Sequence, residues 1–304
     1  MVEDNHSQTI RRELVHKRAV SEVLVTSVAD QGGAWAVHAQ LPRAHSFHSD
    51  GVGRQRSYYD PLLVMEAFRQ GCIAGSHLVY GAPADARHTV RLYELTVVDF
   101  DHLECGPEML DLELNIVVQK EFRRDDQGAV HGLEVRAVAA HQGTKTMELA
   151  AAFNWMPLEK WDRMRAGASW DPGPQPAPAD PRSVGRMRTE NVVIGTPVHA
   201  QDGSASARLV VDVGHPTLFD HPLDHLPGGL IIEAARQLSL AIAGSRAPSL
   251  VGPSWLKIGF QSFAEMDAAS TVQMAQDTAE PLVFRGDITQ SGQTRATIEL
   301  AFME

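Results

Sequence analysis

The chain has 304 residues, 43% of them hydrophobic and 21% charged, which reads as a soluble globular protein whose core needs neither metal nor disulfides. A formal charge of −11 excludes a broad nucleic-acid surface, which rests on clustered Lys and Arg. No stretch reaches the roughly 18 apolar residues of a spanning helix, and the first residues resemble neither a secretory signal nor an anchor. Cys72 and Cys105 lack metal-ligand spacing, so no membrane, no metal, no cofactor and a reduced cytoplasmic setting are expected, with Cys72 simply packed.

In chain order, "AVSEVLVT" (Ala19 to Thr26) predicts a short strand and "LPRAHSFHSDGVGRQRSYYDP" (Leu41 to Pro61) a long loop. An apolar helix is predicted from Leu62 to Val79, with Glu66 and Arg69 its only formally charged residues. Four strands follow, "HTVRLYELTVVDF", "MLDLELNIVVQKEF", "VHGLEVRAVAAH" and "TKTMELAAAFNW", with turns at "RRDDQG" and "HQG". The Pro-rich stretch "GASWDPGPQPAPADPR" then reads as a linker, giving units 1–166 and 184–304 around a linker at 167–183.

The second half repeats the order of the first. "VMEAFRQGCIAG" (Val64 to Gly75) aligns with "IIEAARQLSLAI" (Ile231 to Ile242), placing Glu66 on Glu233, Arg69 on Arg236 and Gln70 on Gln237. "AVSEVLVT" aligns with "MRTENVVIG" with Glu22 on Glu190, and "HQGTKTMELAAAFNW" aligns with "QSGQTRATIELAFME". No βαβ alternation is present, so each half is expected to be an α+β unit, an antiparallel sheet wrapped around one central helix, a tandem double hotdog.

From Gly228 to Ala243 the helix has only four polar residues, Glu233, Arg236, Gln237 and Ser239, so it should be mostly buried. Burying a carboxylate and a guanidinium costs several kcal/mol per ion, which packing alone does not justify. The competing reading is a purely structural ion pair. The preceding loop "HPTLFDHPLDHLPGG" crowds Asp220, His221, Asp224 and His225 together. A hydrogen-bonded loop network, with Asp224 as a helix cap, competes there with a catalytic or positioning role for His221 or His225, and the proline spoils metal-ligand spacing. Gly228 and Gly229 offer free N–H groups at a helix start. In the first half, His45 and His48 read as loop residues, the loop being five residues longer from Phe47 to Glu66 than from Phe219 to Glu233.

"PGGLIIEA" resembles the helix start of bacterial 3-hydroxyacyl carrier-protein dehydratases, although their loop histidine would align near Phe219. "HKRAVSEVLVT" from His16, "PRAHSFHSD" from Pro42, "DPLLVMEAFRQG" from Asp60 and "FDHPLDHLPGGLIIEAARQ" from Phe219 together resemble the A-factor biosynthesis hotdog family, the γ-butyrolactone synthases, over nearly the whole chain. The resemblance implies transfer of a β-ketoacyl group from acyl carrier protein or coenzyme A to dihydroxyacetone phosphate. The ester product can cyclise toward a butenolide or γ-butyrolactone-type signal. It also implies catalytic residues Glu233, Arg236 and Glu66, with Glu233 as general base, Arg236 on the phosphate or ketoacyl group, and the N–H groups near Gly228 and Gly229 on the thioester oxygen. Arg69, His221 and His225 complete the expected substrate contacts. Leu230, Phe260 and Phe263 are expected to bear on acyl length, and Arg182, Arg186 and Arg188 are candidates for carrier docking, against a solvated linker end. A hotdog dehydratase or thioesterase and a non-catalytic acyl- or lactone-binding protein are the alternatives. Two units in one chain suit a monomer or a homodimer.

Overall fold

Each half of the chain builds one long apolar helix and six antiparallel strands. The computed structural model describes residues 5–123 and 128–304, so the turn expected at "RRDDQG" falls largely outside the described residues. One unit comprises Met1–Ala44 with Tyr59–Ala166, the other His45–Tyr58 with Gly167–Glu304. The loop segment His45–Tyr58, which precedes the first helix in sequence, thus packs with the second unit.

The first unit contains β1 (Val25–Asp30), β2 (Ala34–Leu41), α1 (Pro61–Leu78), β3 (Arg87–Val97), β4 (Leu110–Arg123), β5 (Val130–His141), β6 (Thr144–Met156) and the short α2 (Leu158–Met164). The second contains β7 (Val198–His199), β8 (Ser204–Arg208), α3 (Gly228–Ala243), β9 (Gly252–Phe260), β10 (Ser270–Gln276), β11 (Val283–Gln290) and β12 (Gln293–Met303). Strand order is β1-β2-β4-β5-β6-β3 in the first unit and β7-β8-β10-β11-β12-β9 in the second, the same topology twice. The hairpins β5–β6 and β11–β12 turn on matched pairs of left-handed residues, Gln142–Gly143 and Ser291–Gly292, which suits the twist of two-residue loops.

Period-two alternation sends Leu112, Leu114 and Ile116 of β4, and Val272 and Met274 of β10, into the cores. Helix α1 packs on β1, β2 and β3, and α3 on β8, β10, β11 and β12. Asp60 caps α1 by accepting from the Leu62 amide, and Pro61 opens the helix where its missing N–H costs nothing. Gly71 and Gly75, one turn apart, let α1 lie against β2, and Trp35 Nε1 donates to the Gly71 carbonyl at 3.1 Å. The Pro-rich stretch is held along the second unit, where Gln175 Oε1 accepts from the Val211 amide and the Ala179 amide donates to Ile194 O. Among the described residues no helix is long and apolar enough to cross a membrane.

A Cβ at Gly75 would sit 2.4 Å from the Trp35 ring. Gly75→Ala should therefore lower stability by about 1–3 kcal/mol, because overpacking outweighs the gain in helix propensity. Denaturant unfolding monitored by Trp fluorescence checks this, and an unchanged midpoint would contradict it.

Candidate active site

The second turn of α3 places Glu233, Arg236 and Gln237 on one face, since residues three and four apart are neighbours on a helix. Glu233 is 1% exposed and Arg236 5%. Arg236 lies on Glu233 Oε2, with Nε at 2.8 Å and Nη2 at 2.5 Å. A second guanidinium holds the other oxygen: Arg186 lies on Oε1 through Nε at 2.8 Å and Nη2 at 2.6 Å, and Gln237 Nε2 donates to the same oxygen at 2.6 Å. Two cations to one carboxylate leave the cluster with an excess positive charge.

Arg186 is itself fixed on every side. It is 3% exposed, its guanidinium carbon lies 4.4 Å from the Phe47 ring centroid, and Nη1 donates to Phe47 O at 2.6 Å. This burial corrects the expectation of a carrier-docking role, because a side chain bound to Glu233 offers no surface to a partner. Arg188 is 59% exposed and remains at the surface.

Gln237 locks the helix to the chain before β7, donating to Asn191 O and accepting from the Val193 amide. Gln70 does the same in the first unit with Glu22 O and the Leu24 amide. The two units therefore superpose Glu22 on Asn191, one residue beyond the sequence alignment with Glu190. The same shift puts Lys17 on Arg186, and Lys17 Nζ indeed lies 3.1 Å from Glu66 Oε1. Arg69 Nε and Nη2 reach the Glu66 oxygens at 2.7 and 2.8 Å. Burial pushes the Glu66 carboxyl up, and Arg69 and Lys17 overcome it and hold the group well below the usual carboxylate range. The first-unit device is looser, with Glu66 20% and Arg69 30% exposed.

A buried polar chain backs the second clamp. His215 Nδ1 accepts from the Thr217 and Leu218 amides, so Nε2 carries the proton and donates to Asn191 Oδ1 at 3.1 Å. Asn191 Nδ2 donates to Asp50 Oδ2 and to Ser46 O. Burial, reinforced by Arg186, pushes the His215 pKa down, against the opposing pull of Asp212 and Glu233. His45 repeats the turn, its Nδ1 accepting from the Phe47 and His48 amides. His215 and His45 are thus the matching positions, and the extra length before the first helix is three residues rather than five.

The remaining expected residues surround the start of α3. Gly228 and Gly229 open the helix, and a Cβ on Gly228 would meet the Phe260 ring at 3.1 Å. Asp224 does not cap the helix, because Pro227 occupies that position. Instead His225 Nδ1 donates to Asp224 Oδ1 at 2.6 Å while its ring packs on Phe263. His221 lies half-exposed beside Asp220. The sequence alone does not single out Lys17 or His215, and it offers Arg186 only as a docking candidate. The detectable signal was a cation at matching places ahead of "VLV" and "VVI", and a His-x4-Asp spacing in both loops.

The profile of the A-factor biosynthesis hotdog domain matches residues 2–166 and again 167–300. A 2-oxo-3-(phosphooxy)propyl 3-oxoalkanoate synthase from Streptomyces virginiae is 35% identical over 286 residues, covering 91% of this chain and 88% of the relative. A synthase of the same name from Streptomyces coelicolor is 33% identical over 86% of this chain and 80% of its own length. Among solved structures, an oleoyl thioesterase from Lactobacillus plantarum aligns at TM-score 0.54 and 7% identity, covering 91% of this chain and 98% of that one. The dehydratase domain of the CurK module of curacin polyketide synthase aligns at 0.52 and 12%, covering 92% and 96%. These two likenesses establish the α+β double hotdog fold.

Arg186→Met strips one cation from a carboxylate that is 1% exposed, and a loss of about 3–5 kcal/mol in unfolding free energy is expected. Lys17→Met should cost less, since water reaches Glu66. Equal losses in denaturant unfolding would contradict the inequality of the clamps. For His215, the unfolded chain takes up a proton near pH 6.5 while the folded site resists it. Its contribution is therefore complete above about pH 6.5 and declines as the pH falls below that value, a slope that His215→Phe should flatten in pH-dependent unfolding.

Proposed function

This chain belongs to the A-factor biosynthesis hotdog family, and from that premise we propose that it transfers a β-ketoacyl group from an acyl carrier protein or coenzyme A thioester to the hydroxyl of dihydroxyacetone phosphate. The product is the 2-oxo-3-phosphooxypropyl ester of a 3-oxoalkanoic acid, a precursor of a butenolide or γ-butyrolactone-type signal. The observation that carries the mechanism is the two-to-one clamp on Glu233, with a buried carboxylate whose oxygens both accept from guanidinium groups.

A carboxylate so occupied cannot take a proton until a donor leaves. Arg186 is anchored by Phe47 as well as by Glu233, so Arg236 is the cation assigned to the incoming anion. The phosphate of the acceptor draws the Arg236 guanidinium onto its oxygens, a planar bidentate match. Glu233 Oε2 is then free beside the acceptor hydroxyl, while Arg186, anchored by Phe47, keeps Oε1 in place.

The hydroxyl oxygen attacks the thioester carbonyl carbon and its proton passes to Glu233. N–H groups at Gly228 and Gly229 receive the developing oxyanion at the positive end of α3. Collapse breaks the C–S bond, and the departing sulfur takes the proton from Glu233. The ketoacyl chain is assigned to the part-exposed apolar side chains of Phe260 and Phe263, Leu230 being packed inside at 1% exposure, and His221 and His225 orient the donor from the loop before α3. Glu66 and Arg69, with Lys17, form the first unit's counterpart of the same device.

The masked base explains selectivity for an alcohol over water, because Glu233 is uncovered only when the phosphorylated acceptor is bound. Incubation with a β-ketoacyl thioester should give the ester by mass spectrometry only when dihydroxyacetone phosphate is present, and unphosphorylated dihydroxyacetone should be a poor substitute. Glu233→Gln should lower transfer by about 10²–10⁴-fold. Arg236→Met should lose transfer and gain acceptor-independent hydrolysis. Rapid hydrolysis by the unaltered protein without acceptor would identify a thioesterase instead.

A further inference from the structure

Three histidines of the first unit converge from separate elements. His16 follows a short 3-10 helix, His77 ends α1 and His88 begins β3. One ligand nitrogen from each lies within 4.8 Å of the others, and His16 Nε2 is 2.9 Å from His77 Nε2. The transfer chemistry uses none of them.

Hydrogen bonds fix the His77 ring in the form that offers a lone pair to His16 and tie His88 to α1. His77 Nδ1 donates to Ala82 O at 3.0 Å, which leaves Nε2 unprotonated and facing His16. Ser76 Oγ donates to Ile73 O at 2.6 Å and lies 2.7 Å from His88 Nε2. His88 Nδ1 is buried, and the ring also meets the Ala86 backbone. A backbone carbonyl and a hydroxyl on the outer nitrogens are also the usual second-shell partners of metal-bound imidazole.

The backbone supplies an independent observation. His16 caps its 3-10 helix in the left-handed region, with φ 54°, a conformation that favours glycine over a residue with a side chain. The matching cap in the second unit, 169 residues on, is Gly185, with φ 78°. The position corresponding to His77 is Gly244. The first unit therefore keeps imidazoles where its duplicate uses glycine, including one place where glycine is the easier residue.

We propose that His16, His77 and His88 form a site for a divalent cation of the zinc class, with three imidazole nitrogens as protein ligands and a further position open to water. Zn–N bonds of about 2.0–2.1 Å at tetrahedral angles set ligand nitrogens roughly 3.3 Å apart, within reach of small side-chain movements here. The ion would fasten the N-terminal segment to α1 and β3, immediately beside Lys17 on Glu66.

The full chain, stripped with a chelator and desalted, is titrated with Zn²⁺ against an equimolar chromophoric chelator, and with Co²⁺ while visible absorption is followed. One equivalent of Zn²⁺ should bind in competition, with Co²⁺ bands of low-coordinate geometry. His16→Gly removes one ligand at a position whose backbone favours glycine, so the stripped protein should fold with an unchanged or higher unfolding midpoint. Its Zn²⁺ affinity should fall by at least ~10-fold, and that of His88→Ala likewise. No competitive uptake by the unaltered chain, or equal uptake by folded His16→Gly, would overturn the site.

Discussion

The second unit is organised around a carboxylate that cannot stand alone. Glu233 is placed inside the protein by a helix whose other residues are almost all apolar, and at 1% exposure it must be matched by donors from within. Arg236 comes with it on the same helix. Arg186 has to be brought from a distant part of the chain, and its position depends in turn on Phe47, Asp50 and Asn191 holding the intervening loops. The segment His45–Tyr58 belongs to the second unit for this reason: its carbonyls and Asp50 are the acceptors that Arg186 and Asn191 require.

The duplication lets the two versions be compared within one molecule. Both pair a Glu with an Arg three residues on and a Gln four residues on, and both tie that Gln to the strand-forming segment upstream. They differ in the second cation. Arg186 meets its carboxylate with two nitrogens in a fixed plane, while Lys17 meets Glu66 with a single point charge. The lysine suits a site that water still reaches, and the arginine suits one sealed from water. The first unit has diverged in another direction, gathering histidines where the second has glycines.

Much of this was legible in the sequence. The two apolar helices with one acid and one arginine each, the antiparallel α+β units and the hairpin pairs all follow from periodicity and turn chemistry, which are local. Arg186 was not, because its partner lies 47 residues away and a burst of three arginines beside a Pro-rich stretch looks like a solvated surface. Letter identity aligns Glu22 with Glu190, whereas hydrogen-bond position pairs Glu22 with Asn191. His221 and His225 lie closer to the helix in sequence than His215 and draw the eye first. A buried histidine is recognised by the amides that its ring accepts from, and those are set by a turn rather than by spacing to the glutamate.

The central claim is that Arg236 masks Glu233 until an anionic acceptor draws it aside. A crystal structure with glycerol 3-phosphate, which carries the acceptor's phosphate without its ketone, tests this most directly. The account predicts the phosphate on the Arg236 guanidinium, Glu233 Oε2 released and Arg186 still seated on Oε1. Phosphate bound elsewhere, with the Arg236–Glu233 pair intact, would contradict it.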